Sequence, residues 1–65
     1  MLPAERRHKV LELLRLRGGF ASLPELAEEL AVSESTVRRD LDQLETMQEV
    51  QRTHGGVFYT GSASG

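Results

Sequence analysis

The sequence predicts a small α+β domain, mainly α: three helices followed by a small antiparallel β-hairpin, over residues 1–59. Three observations predict it. Apolar residues recur with the helical period in three separate stretches. Each stretch opens on a helix-start residue: Pro3, Ser22 or Ser33. The last stretch gives way to Val50–Tyr59, where Val, Thr, Phe and Tyr flank Gly55-Gly56 in the pattern of two strands and a turn.

The first helix is expected from about Pro3 to Arg17, with Val10, Leu11 and Leu14 as its buried stripe and Leu13 on the flank. Gly18 and Gly19 end it, because glycine adopts the left-handed conformation of a helix stop without a steric penalty. Arg15 and Arg17 in the last turn complement the helix dipole. Phe20-Ala21-Ser22 reads as a short strand, a third partner for a hairpin that alone is marginal in water. Ser22-Leu23-Pro24-Glu25 matches a capping box. The second helix then runs over about Leu23–Leu30, burying Leu23, Leu26, Ala27 and Leu30 and exposing Glu25, Glu28 and Glu29.

Ala31-Val32-Ser33 is the next turn, and Ser33 is the N-cap of a third helix expected to continue to Met47 or Gln48. Two helices joined by so short a turn form a helix-turn-helix, and a hairpin directly after the second makes it a winged one. Phe58 is expected to pack in the core. Residues 60–65 are small, polar and glycine-rich, a flexible tail or the start of a linker.

Sixty-five residues allow one domain, which at this size hides only about 60% of its unfolded surface. The absence of cysteine excludes a disulfide framework and a thiolate zinc site, and fits a cytoplasmic protein. No apolar run approaches membrane-spanning length, and the first residues lack a signal peptide's apolar region. Catalysis is not expected. There are two histidines, His8 and His54, no glycine-rich phosphate loop after a strand, and no carboxylate–histidine cluster with ligand spacing; neither metal nor cofactor is implied.

The net charge of −2 is unevenly spread. Arg6, Arg7, Lys9, Arg15 and Arg17 outweigh Glu5 and Glu12 in residues 1–20, whereas Glu25, Glu28, Glu29 and Glu34 stand unopposed in residues 21–37. A fold that gathers the basic groups on one side binds phosphate, and acidic groups elsewhere weaken non-specific attachment.

The third helix carries the function. Val37, Leu41 and Leu44 at i, i+4 and i+7 share its inner side. Ser35, Thr36, Arg39 and Gln43 project from the other. Such a helix suits the DNA major groove, where an arginine fork reads guanine and short hydroxyls permit close approach.

Arg7 with Val10 and Leu14, then Leu26-Ala27-Glu28, Val32-Ser33-Glu34, Thr36-Val37-Arg38-Arg39-Asp40-Leu41, Leu44 and Arg52-Thr53-His54-Gly55-Gly56-Val57 resemble the N-terminal DNA-binding domain of the DeoR family of bacterial transcriptional regulators, over roughly residues 6–58. The resemblance implies a winged helix-turn-helix that binds double-stranded operator DNA, usually as a repressor. In that family a larger C-terminal domain senses a phosphorylated sugar or related metabolite and drives oligomerisation. That domain is absent from these 65 residues, so the chain is expected to be an N-terminal piece, itself monomeric, of a homo-oligomeric parent. Two positions depart from the family pattern. Ala31 stands in the inter-helix turn, and Gln48 at the end of the third helix, where glycine is common. The third helix is therefore expected to run longer, or the wing to leave it at a different angle.

Each candidate has its own role. Arg39, central on the outward face, is expected to contact a base, and Arg38, on the flank, to contact phosphate rather than pair with Glu34 or Asp42. Ser35 and Thr36 meet a base edge or phosphate, or extend the cap; Gln43 shares their face. Ser33 is the cap first, beside backbone N–H groups that suit phosphate. In the wing, Arg52 contacts phosphate or reaches the minor groove, and His54 either donates to phosphate or organises the turn. Asp40, at the core edge, is expected to pair with Arg6, Arg7 or Lys9 of the first helix, groups otherwise read as a solvated face. The competing reading is a winged helix for protein contact, with Phe58 and Tyr59 as its one apolar patch. RNA binding lacks the aromatic platform it needs.

Overall fold

The computed structural model describes residues 2–60. The elements are α1 (Pro3–Leu16), β1 (Phe20–Ser22), α2 (Leu23–Leu30), α3 (Glu34–Thr46), β2 (Val50–Arg52) and β3 (Gly56–Tyr59). This is the winged helix-turn-helix expected, mainly helical with a small antiparallel sheet. The expected tail or linker, apart from Thr60, lies outside the described residues.

Each helix begins where a side chain satisfies a backbone donor that the helix itself leaves unpaired. Glu5 accepts the Leu2 N–H at 3.1 Å ahead of α1. Ser22 Oγ accepts the Glu25 N–H at 3.4 Å while Glu25 Oε1 accepts the Ser22 N–H at 3.0 Å, so the capping box ahead of α2 is formed. Ser33 Oγ accepts the Thr36 N–H at 3.2 Å at the start of α3.

All three helices end by one device. After α1 the Gly18 and Gly19 N–H groups turn back to the carbonyls of Arg15 and Leu14; after α2 those of Ala31 and Val32 turn to Glu28 and Ala27; after α3 those of Gln48 and Glu49 turn to Glu45 and Leu44. This is the Schellman pattern, which needs a left-handed residue. Gly18 supplies it at φ +77°, but Ala31 and Gln48 adopt it at φ +57° and +62° without being glycine. Of the two outcomes expected from Gln48, a longer third helix or a wing leaving at a different angle, the longer helix is thereby corrected. The helix α3 ends at Thr46, because the paired carbonyls and the burial of Val50 repay the left-handed strain at Gln48.

The core is one cluster: Val10 and Leu14 of α1, Leu26 and Leu30 of α2, Val37, Leu41 and Leu44 of α3, and Ala21, Val50 and Val57 of the sheet. Leu11, Leu13, Leu23 and Ala27 pack around it half-buried. Strand order is β1-β3-β2, antiparallel throughout, with Ala21 opposite Val57 and Val57 opposite Arg52. Strand side chains alternate between faces, so with Val57 turned inward Phe58 must turn out. Phe58 is 48% exposed and lies against Phe20, which is 40% exposed, with ring centroids 5.0 Å apart. The expectation that Phe58 is a core residue is therefore corrected.

The hairpin turn is closed by the Thr53 N–H donating to the Gly56 carbonyl at 2.9 Å, with His54 and Gly55 at its tip. Gly56 already belongs to β3, and the left-handed glycines are Gly18 and Gly19. The glycine pair thus serves the wing otherwise than by a left-handed turn. A Cβ on Gly56 would lie against the Ala21 carbonyl oxygen and 2.8 Å from Phe20 Cζ, so its missing side chain is what lets β1 and the Phe20 ring close over β3.

Candidate nucleic-acid interface

On an ideal helix successive residues turn by about 100°. With Val37, Leu41 and Leu44 inward, the opposite side of α3 carries Ser35, Arg39 and Asp42 at its middle, Thr36 and Gln43 on one flank, and Arg38 and Glu45 on the other. Burial agrees: Ser35, Arg38, Arg39, Asp42, Gln43 and Glu45 are exposed, and Thr36 is half-buried.

What fixes that rotation is Asp40. Its carboxylate is 3% exposed and forms two bonds to the Arg6 guanidinium of α1: Nε to Oδ2, and Nη2 to Oδ1 at 3.1 Å. Of the three partners the sequence offered, Arg6 is the one used, and its Nε and Nη2 present a planar fork to the carboxylate. The carboxylate in turn raises the Arg6 pKa above that of a free guanidinium, chiefly through the side-chain hydrogen bond between them. A fork holding two oxygens resists rotation as well as separation. Arg6 therefore holds α3 with Arg39 and Ser35 facing out.

The remaining candidates divide by what already holds them. Arg38, Arg39, Ser35 and Gln43 make no side-chain hydrogen bond or ion pair among the described residues. Arg38 pairs with neither Glu34 nor Asp42. Ser33 and Thr36 hold each other, hydroxyl to hydroxyl at 3.1 Å, so both belong to the helix cap in the free chain. His54 is exposed at the hairpin tip. Arg52 is not free: Nη1 donates to Asp42 Oδ1 at 2.7 Å and to the Arg38 carbonyl at 3.3 Å, and its backbone N–H donates to Glu45 Oε2 at 3.4 Å. The wing is thus tied to the flank of α3 by two carboxylates one turn apart.

Asp42 and Glu45 are the residues that sequence reasoning missed here. Their i, i+3 spacing makes them neighbours, Asp42 toward the middle of the outward face and Glu45 on the flank from which the hairpin leaves, but which strand residue meets them depends on the Gln48 reversal. The two flanks also differ in sign. Arg38 lies among Asp42 and Glu45, whereas Gln43 and Thr36 carry no charge.

Among the described residues no three His, Asp or Glu side chains are placed to hold a metal ion. A depression lined by Glu45, Gln48, Val50, Gln51 and Thr60 is open to solvent. No helix among them is long and apolar enough to cross a membrane.

The geometry agrees with comparison to known proteins. Residues 6–63 match the family described as the DeoR-like helix-turn-helix domain. The chain is 41% identical over 56 residues to the uncharacterised HTH-type transcriptional regulator YulB of Bacillus subtilis, covering 86% of this chain and 21% of that protein. It is 35% identical over 63 residues to the glycerol-3-phosphate regulon repressor of Escherichia coli, covering 97% of this chain and 25% of that one. To the lactose phosphotransferase system repressor of Lactococcus lactis it is 43% identical over 51 residues, covering 78% and 20%. No solved structure matches the chain. The chain spans about a fifth to a quarter of the length of these relatives, all of them transcriptional regulators. Its three helices, its hairpin and nearly all of its sequence place it in one group: the chain belongs to the DeoR-like helix-turn-helix family.

Proposed function

We propose that this chain is the sequence-specific DNA-binding domain of a transcriptional repressor, with α3 entering the major groove and the wing lying on the backbone or in the minor groove. The observation that carries this reading is the outward face of α3, where Arg39, Ser35 and Gln43 stand exposed and without intramolecular partners, on a helix whose rotation is locked from behind by Arg6 and Asp40. Arg39 reads a base, Arg38 takes a phosphate, and Ser33 and Thr36 present the helix N-terminus to a second phosphate. His54 meets the backbone from the wing tip. Relatives named as repressors of the glycerol-3-phosphate regulon and of the lactose phosphotransferase system support a target operon in sugar metabolism. A phosphorylated sugar sensed by a separate C-terminal domain supplies the regulation. The isolated domain is a monomer whose weak affinity is multiplied when the parent oligomer presents two copies to paired half-sites.

The test is an NMR titration of the 65-residue chain with a short random-sequence duplex at two salt concentrations. Amides of residues 33–43 and 52–56 are expected to shift together, less so at higher salt. Shifts confined to Phe20 and Phe58, or none at low salt, overturn the reading. The exposed Phe20–Phe58 pair favours a protein-contact surface, and it lies on the outer face of the sheet rather than on α3.

A further inference from the structure

Resting on the DNA reading above, we infer that Asp42 is a specificity-determining residue. It holds Arg52 away from phosphate until α3 is seated, and so suppresses binding to random sequence.

The Asp42 side chain is 62% exposed, near the middle of the outward face of α3. A carboxylate there is paradoxical for a surface that meets a polyanion. Its position resolves the paradox. Asp42 Oδ1 takes the Arg52 Nη1 proton at 2.7 Å, the contact a phosphate oxygen would otherwise receive. The Arg38 carbonyl takes a second bond from the same nitrogen at 3.3 Å, which draws Arg52 across the flank of α3. In the free chain the wing's arginine is therefore neutralised by an internal stand-in for phosphate, while Arg38 and Arg39 stand unpaired.

The consequence differs between loose and seated complexes. A random duplex held at arm's length meets Arg38 and the exposed Asp42 charge, and draws little from Arg52. When α3 enters a matching groove, the backbone is brought against the wing. Arg52 can then exchange one oxyanion for another without crossing bulk solvent. The exchange adds a phosphate contact only in the seated complex, which widens the gap between matched and unmatched DNA.

The test uses the 65-residue chain, a random-sequence duplex and binding isotherms at four salt concentrations, for wild type, Asp42→Asn, Arg52→Ala and the double variant. Asp42 and Arg52 are both on the surface, and thermal melting verifies that each variant is folded. Each arginine engaged on phosphate adds about 0.9 to the slope of log K against log salt. Asp42→Asn is expected to tighten random-duplex binding roughly tenfold at low salt and to steepen the slope by about one contact. Arg52→Ala alone is expected to leave the wild-type slope unchanged, and in the Asp42→Asn background to abolish the gain. A gain that survives in the double variant shows only the removal of a negative charge and overturns the inference. So does unchanged or weaker binding by Asp42→Asn when wild type binds. Failure of both wild type and Asp42→Asn to bind at the lowest salt overturns the DNA reading itself.

Discussion

At Gly56 the chain has no room for a side chain. Its Cβ would meet the Ala21 carbonyl oxygen, which is fixed by strand pairing, and the Phe20 ring. Gly55, one residue earlier, has open space around its Cβ position. Gly56→Ala is therefore expected to destabilise the domain by about 1–3 kcal/mol, and Gly55→Ala to change little, in urea unfolding of both variants. Equal effects would mean that the pair acts through chain flexibility instead. Ala31 and Gln48 present the converse case, side chains where glycine would relieve strain. Both hold a left-handed backbone that costs a non-glycine residue about 1–2 kcal/mol, part of which glycine returns through a floppier unfolded chain. Ala31→Gly and Gln48→Gly are each expected to stabilise by about 0.5–1 kcal/mol. Loss of stability in either would show that the backbone there depends on the side chain.

Among the elements, α2 is the shortest helix, and most of what defines its start is carried by Glu25. That carboxylate accepts the Ser22 N–H and hydroxyl and an Arg17 guanidinium N–H, and these bonds, the backbone one foremost, hold its pKa below the usual carboxylate range. A lowered folded pKa means that the ionised form is favoured by folding. Its contribution is complete above the unfolded value of about 4.3 and is lost as pH falls through the folded one. The melting-temperature advantage of wild type over Glu25→Gln should thus be steady near neutrality and shrink below about pH 4. A gap that stays constant down to pH 2 would contradict the assignment. This capping box was readable from Ser22-Leu23-Pro24-Glu25 alone, as were the helices, the three strands and the apolar stripes, because each rests on neighbours within a few residues. What was not readable is longer in range. Asp40 had three possible partners until α1 and α3 were packed. The outward turn of Phe58 followed from strand register. The grip of Asp42 on Arg52 spans ten residues and a left-handed reversal at Gln48.

For the molecule as a whole, folding sorts cations by use rather than by number. Arg6 is committed to Asp40, Arg17 to Glu25 and Glu29, and Arg52 to Asp42. Arg38 and Arg39 remain uncommitted on the face of α3, so a chain of net charge −2 still has two exposed guanidinium groups there without an intramolecular partner. The two should not behave alike. Arg39 lies near the centre of the outward face and Arg38 on the flank beside the wing, so the proposed docking gives Arg39 the base edges and Arg38 the backbone. With a duplex selected from a random pool by the wild-type chain, Arg39→Ala is expected to weaken binding by about 1–3 kcal/mol and to erase the preference at one base pair, leaving random-duplex affinity nearly unchanged. Arg38→Ala is expected to weaken selected and random duplexes alike and to flatten the salt slope by about one contact. If the two variants exchanged these signatures, the base-reading role would move to Arg38. The helix would then lie in the groove rotated toward the wing, and Asp42, between the two arginines, would face the bases rather than the backbone.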